Sequence, residues 1–176
     1  MKIVTSNPSK LAEFASFGLP LEAAGGVDLP EVDADALTVA VYKAASAGAG
    51  LIVEDTSLDV DGLDVGVNVR WLVSSLLADA SLHGRAATWR VLLAANDGET
   101  VRVYEGVTLG TLTAPRGEGF GFDPIFAVGG QTLAEMGAAK AAVSARRAAC
   151  EAYLAGTPIH TVRLADLPAW AGGWQH

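Results

Sequence analysis

Between Pro115 and Arg146 the chain gathers the residue types that bind a phosphorylated aromatic ligand: PRGEGFGFDPIFAVGGQTLAEMGAAKAAVSAR. Glycines there let backbone approach a ligand closely. Phe120 and Phe122 offer flat surfaces for a base, and Pro124 holds Asp123 extended. Lys140 and Arg146 are cations that a phosphorylated ligand needs. A second group is Glu54 and Asp55, where the apolar run Leu51-Ile52-Val53 stops. Two adjacent carboxylates are costly to hold close unless a cation neutralises them, and an oxygen-loving metal such as Mg²⁺ would do so. A solvated turn carrying two acids is the plainer alternative. Glu31, at another expected strand end, would complete a three-carboxylate site. A third group opens the chain, where a strand, the turn Thr5-Ser6-Asn7-Pro8 and a helix aim backbone N–H groups at an anion. Ser6, Asn7 and Lys10 would surround that anion. Read alone, this stretch fits an ordinary capped helix with a solvated lysine better.

The elements that must position these groups follow from periodicity and turn signals. Lys2 to Thr5 reads as a strand. A helix starts at Pro8, buries Leu11, Phe14, Ala15 and Phe17, and closes at Gly18 and Pro20. Val27 to Val32 reads as a second strand. Ala36 to Ala47 reads as a helix with Leu37, Val41 and Ala44 on one face and Lys43 on another. Leu51 to Val53 is a central strand covered on both faces, and Asp59 to Asn68 is a loop or hairpin. Trp71 to Leu77 and Arg85 to Ala95 read as two helices joined near Gly84, with His83 solvated in the joint. Asn96-Asp97-Gly98 is a turn. Thr100 to Val107 and Gly106 to Ala114 read as paired strands. Ser144 caps a helix running to Gly156. A short strand follows Pro158, and the tail from Pro168 to His176 packs on the body or on a partner. This alternation predicts one α/β domain over residues 1–176 with a mixed sheet. Ligands of such sheets sit beyond strand ends, where Thr5 to Lys10, Glu31, Glu54-Asp55 and the central segment would meet.

Composition narrows the class. The chain has 176 residues, 51% hydrophobic and 18% charged, which suits a folded domain with a sizeable core. A net charge of −8 argues against broad nucleic-acid binding. It leaves room for a small phosphorylated ligand, which needs only a few placed cations. No apolar run is long enough to cross a bilayer, and the N-terminus lacks a signal-peptide pattern. Cys150 is the single cysteine, so a disulfide framework or a cysteine zinc site is excluded. The expected address is the cytoplasm. Four lysines stand against eight arginines. Three of them, Lys10, Lys43 and Lys140, fall within the segments singled out here, where a compact ammonium is useful.

These motifs together resemble the inosine triphosphate pyrophosphatase family, which cleaves non-standard purine nucleoside triphosphates to monophosphate and pyrophosphate. The family's T-G-N-x-x-K-x-x-E is similar to Thr5-Ser6-Asn7-Pro8-Ser9-Lys10-Leu11-Ala12-Glu13, and its D-L-P-E to Asp28-Leu29-Pro30-Glu31. Its helix lysine resembles Lys43, and its V-E-D-T resembles Val53-Glu54-Asp55-Thr56. Its P-R-G, its G-F-G-[FWY]-D-P-x-F and its T-x-A-E-M resemble Pro115-Arg116-Gly117, Gly119 to Phe126 and Thr132 to Met136, with Lys140 following.

The resemblance covers nearly the whole chain in order. It implies an elongated mixed β-sheet flanked by helices, two lobes around a central nucleotide cleft, and a homodimer. It implies that Asn7 and Lys10 hold phosphates with the backbone of Thr5 and Ser6. Glu31 and Asp55 would bind Mg²⁺ with Glu54 nearby, and Lys43 and Lys140 would add positive charge. Phe122 would stack on the purine and Asp123 would contact its edge, with Ser144 and Arg146 also in the substrate site. Asp55 is the expected base and Lys10 its catalytic companion.

Three departures stand out. The family's S-H-R reads Ser144-Ala145-Arg146, the loop from Gly117 to Phe120 is one residue short, and Ser6 and Val65 replace a glycine and a proline. The absent histidine leaves base preference open. The same reaction on another nucleotide, and nucleotide binding without turnover, therefore stand as alternatives.

Overall fold

A computed structural model describes residues 2–5, 7–25 and 29–175. In chain order the elements are β1 (Lys2–Ile3), α1 (Pro8–Ser16), β2 (Glu22–Ala23), α2 (Ala36–Ala47), β3 (Leu51–Val60), β4 (Leu63–Gly66) and α3 (Val69–Ala78). There follow β5 (Ala86–Asn96), β6 (Thr100–Leu112), β7 (Phe126–Val128), β8 (Gln131–Thr132), α4 (Lys140–Val143), α5 (Ala145–Ala155) and β9 (His160–Arg163). Strands neighbour one another in the order β2-β1-β3-β5-β6-β7-β8, with β4 on β3 and β9 on β6. Strand β1 runs parallel to β2 and β3, whereas β4, β7, β8 and β9 join antiparallel. The fold is a mixed α/β sheet with helices, as the sequence predicts.

The chain divides into two compact units. The first comprises Met1–Asp55, Val91–Gly106 and Arg146–His176, and the second Thr56–Arg90 and Val107–Ala145. Strands β3, β5 and β6 contribute residues to both.

In the first unit, Asp35 caps α2 by accepting from the Thr38 N–H at 3.0 Å, and Gly48 ends the helix at φ 98°. Ala40, Val41 and Ala44 of α2 bury against Val53, Leu92, Ala94, Val101 and Val103. Each large aliphatic side chain so buried contributes about 1.5–3 kcal/mol. Helix α1 begins with Asn7 as cap and Pro8 in its first turn, and its buried anchor is Phe14. Ala15, expected on the same buried face, is exposed.

In the second unit, β3 and β4 form a hairpin that turns at Gly62, φ 73°. Trp89, Phe122 and Phe126 pack edge-on and tilted, with ring centroids 6.0 and 5.8 Å apart. Gly110 is required where β6 meets β7, because a Cβ there would lie 2.5 Å from the Ala127 carbonyl oxygen.

Four expectations are corrected. Ala86–Asn96 is strand, not helix. Ala87, Trp89 and Val91 point inward in alternation, and the Val91–Ala94 run is buried on both faces, so tertiary packing overrides the helix propensity of Ala and Leu. Thr100–Leu112 is one strand, with no turn at Gly106. Neither Gly106 nor Gly110 adopts positive φ, so the backbone stays extended through both. Strand β3 continues through Glu54 and Asp55 to Val60. The second strand is Glu22–Ala23; Val27 and Asp28 lie outside the described residues, and Val32 forms only an isolated bridge to Trp174.

Candidate active site

The cap Asn7 and, on helix α1, Lys10 and Glu13 follow at three-residue intervals, which sets them along one side of the helix start. The Asn7 side chain accepts from the Ser9 N–H at 3.0 Å, and Thr5 Oγ1 accepts from the Asn7 N–H at 3.2 Å. Ser6 lies outside the described residues. Lys10 Nζ donates to Glu54 Oε2 at 2.5 Å. The other Glu54 oxygen accepts from Arg146 Nη2 at 2.9 Å and Nε at 3.2 Å, and Arg146 Nη1 donates to Glu13. A chain of alternating charge results: Lys10, Glu54, Arg146, Glu13. The side chains of Glu54 and Arg146 are 2% and 10% exposed, which charged groups tolerate only when well paired. Burial disfavours the Arg146 cation, but Glu54 and Glu13 outweigh it and hold the guanidinium above its ordinary range.

Asp55 follows Glu54 in the strand and faces the other way, as strand alternation requires. Its Oδ2 accepts from Lys43 Nζ at 3.1 Å, and Glu31 Oε1 accepts from the same ammonium at 2.5 Å. Burial pushes the Asp55 carboxyl up to about 6, with the charges of Glu31 and Glu54 adding and Lys43 opposing. Burial alone would lower Lys43, yet Asp55 and Glu31 together hold it above its usual value.

Glu31 and Asp55 therefore face one cationic point. That donor set suits Mg²⁺, which takes one or two carboxylates and completes its shell with water and substrate phosphate. Glu54, expected as a third carboxylate, is instead committed to Lys10 and Arg146 on the opposite face. Among the described residues no three His, Cys, Asp or Glu side chains gather in a metal-binding arrangement.

The second unit holds the other predicted group. Lys140 Nζ donates to Asp123 Oδ2 at 2.7 Å and lies 5.7 Å from the centre of the Trp89 ring. Gly119 makes room for Asp123, since a Cβ there would come within 2.7 Å of the Asp123 Cβ. Phe122 is buried against Trp89 and Phe126, whereas Phe120 is 78% exposed. A stacking surface needs an open ring face, so Phe120 offers one and Phe122 acts as a core aromatic. Ser144 and Ala145 are buried, and Ala145 is fully so. The P-R-G and T-x-A-E-M pieces brace one another. Arg116 Nη2 donates to the Gly130 carbonyl at 2.7 Å, Thr132 Oγ1 donates to the Arg116 carbonyl at 2.8 Å, and Glu135 accepts from the Thr132 N–H at 2.8 Å.

Sequence reasoning missed Trp89, which it set on a helix, and the partnership of Glu13 with Arg146. The motif spacing from Lys10 to Glu13 was the available signal. It also left open what the C-terminal tail covers. Trp170 packs edge-on against Tyr42 at 5.2 Å, and Tyr42 Oη donates to the Pro168 carbonyl at 2.9 Å. The tail thus packs on its own chain.

The Ham1 family profile matches residues 1–155. A Batrachochytrium dendrobatidis protein named inosine triphosphate pyrophosphatase is 35% identical over 152 residues, 76% of this chain and 80% of that protein. A Porphyromonas gingivalis protein named dITP/XTP pyrophosphatase is 32% identical over 163 residues, 76% of this chain and 84% of its own length. Among solved structures, a Mycobacterium abscessus nucleoside-triphosphatase, also titled dITP/XTP pyrophosphatase, superposes with a TM-score of 0.55 at 30% identity. That match covers 88% of this chain and 97% of the other. The Staphylococcus aureus Ham1 protein shares the fold, with a TM-score of 0.65 at 22% identity over 89% of this chain and 99% of its own. By profile and by relatives alike, this chain belongs to the Ham1 family.

Proposed function

We propose that this protein hydrolyses the α–β anhydride of non-standard purine nucleoside triphosphates such as ITP, dITP and XTP, releasing the monophosphate and pyrophosphate. The observation that carries the reading is the meeting of Glu31 and Asp55 on one cationic point in the first unit. The names of the relatives support the substrate class. Glu31 and Asp55 are the residues that would hold Mg²⁺. A bound Mg²⁺ would supply charge neutralisation on the phosphates and lower the pKa of attacking water. Asp55, with its carboxyl near 6, orients or deprotonates that water at neutral pH. Lys10, Lys43 and the start of α1 with Asn7, Thr5 and Ser6 supply positive potential for the triphosphate. Within the second unit, Phe120 has the open ring face for a base, and Asp123, Lys140 and Ser144 are its candidate substrate contacts; Arg146 is a further candidate in the first. A homodimer in the cytoplasm accompanies this reading; among the described residues no helix is long and apolar enough to cross a membrane.

A second reading, the same reaction on a standard or modified nucleotide, is favoured by one observation. Ala145 stands where the family carries a base-recognising histidine, and its methyl group is fully buried. A panel of nucleoside triphosphates with Mg²⁺, scored for pyrophosphate against single phosphate, separates the readings. Pyrophosphate from ITP and XTP with little from ATP or GTP supports the first. Pyrophosphate mainly from another nucleotide moves the substrate and keeps the chemistry. Binding without release of either product would replace hydrolysis with a binding role.

A further inference from the structure

The segment after residue 155 lies beyond the family profile, and its last residues pair with the backbone that carries Glu31. The Gln175 N–H donates to the Glu31 carbonyl at 2.9 Å, and Gln175 Nε2 donates to the Val32 carbonyl at 3.0 Å. The Asp33 N–H donates to the Gly173 carbonyl at 2.9 Å, and Val32 forms an antiparallel bridge with Trp174. The tail brings its own geometry to this contact. Trp170 Nε1 donates to the same Gly173 carbonyl at 2.7 Å, and the Trp170 ring lies over Gly172, where a Cβ would come within 2.4 Å of it. Only glycine fits beneath that ring. At its other end the tail grips α2 through Tyr42, the residue before Lys43.

We propose that Pro168–Gln175 is a positioning element for the acidic pair, with Gln175 and Trp170 as its positioning residues. It holds the Glu31 backbone and the α2 turn carrying Lys43 in fixed register, and so sets the affinity of Glu31 and Asp55 for a divalent cation. The physical reason is that Glu31 belongs to no helix or strand, and its own carbonyl, the Val32 carbonyl and the Asp33 N–H find partners in the tail. Without those bonds the Glu31 carboxylate samples many positions, and the entropy of fixing it falls on metal binding. Hydrogen bonds to a ligating side chain change metal affinity about 10–100-fold when lost, and the tail's bonds to the backbone beneath one should reach the lower end of that range.

This inference rests on the assignment of Glu31 and Asp55 as metal ligands, and its test avoids nucleotide turnover. Mn²⁺ binding to the full-length, nucleotide-free protein is measured by electron paramagnetic resonance for wild type, Gln175→Ala, Trp170→Ala and Tyr42→Phe. Hydrogen exchange at the Asp33 amide and far-UV circular dichroism are followed in parallel. The expected result is a Mn²⁺ Kd raised about ten-fold in Gln175→Ala and Trp170→Ala, with faster Asp33 exchange and unchanged secondary structure. Tyr42→Phe, which loses one hydrogen bond and keeps the ring contact, shifts less. An unchanged Kd despite faster Asp33 exchange would overturn the proposal and reduce the tail to a cover. Absence of Mn²⁺ binding in wild type would overturn it as well. A weakened Kd in a protein that releases no pyrophosphate would uphold the tail's role while rejecting the hydrolytic reading.

Discussion

Glu54 and Asp55 are consecutive residues of β3 that work on opposite faces: Glu54 is held by Lys10 and Arg146, Asp55 by Lys43. The two carboxylates are separated by strand geometry, which sets one against Lys10 and Arg146 and the other beside Glu31. Their substitution effects should separate in the same way.

Asp55→Asn removes the proposed base and metal ligand while keeping shape and hydrogen-bonding capacity. Its kcat/KM should fall by about 10²–10⁴, with a circular dichroism melt close to wild type. Near-normal turnover would remove Asp55 from the mechanism.

Glu54→Gln should do the reverse, acting first on stability. Among the described residues it leaves the buried Arg146 cation with Glu13 as its remaining carboxylate, and breaking a buried pair from one side costs about 3–5 kcal/mol. Urea denaturation measures the loss. A variant as stable as wild type would show that a neutral amide oxygen satisfies the guanidinium as well as the carboxylate does.

The pH dependence follows from the raised Asp55 carboxyl. Its folded value of about 6 exceeds the ordinary 3.8, so the contribution to stability is fully present below about 3.8 and is lost as pH rises through about 6. The metal-free protein should lose that contribution across this window, and Asp55→Asn should lack it. Because a divalent cation prefers the ionised carboxylate, metal binding near pH 5.5 should release a proton and at pH 8 should not. Calorimetry in two buffers of different ionisation enthalpy reads the difference.

The two phenylalanines of the glycine-rich segment should divide their effects. Phe120→Ala should raise KM for nucleotide several-fold with little change in melting temperature, because the ring is exposed. Phe122→Ala should cost about 3–5 kcal/mol of stability, since it opens a cavity beside Trp89 and Phe126. Equal loss of stability in both would argue that Phe120 also packs.

Much of the fold was legible where a local signal agreed with its environment. The α2 helix was legible in the apolar face of Leu37, Val41 and Ala44, and the Asp59 to Asn68 stretch was open to the hairpin that the structure holds. The sequence failed where packing overrode propensity. Trp89 was read on a helix because Ala and Leu surround it, yet those residues line a strand covered on both faces. Glu54 was read as a strand-end ligand because nothing local reveals Arg146, ninety-two residues away in sequence. Phe122 was preferred to Phe120 because motif position says nothing of which ring is buried. Tail contacts to Glu31 were illegible for the same reason: main-chain pairing between distant segments leaves no side-chain pattern.

Lys10, Glu54, Arg146 and Glu13, paired in alternation among the described residues, bring two cations and two anions whose charges balance. Neutrality of this kind constrains how the sequence can drift. A lineage that loses Glu13 carries surplus positive charge beside Phe14 until Arg146 or Lys10 changes too, so tolerated replacements should arise as paired, compensating exchanges. The opening helix motif and the arginine at the start of α5 are then one unit of inheritance, although more than a hundred residues of chain separate them.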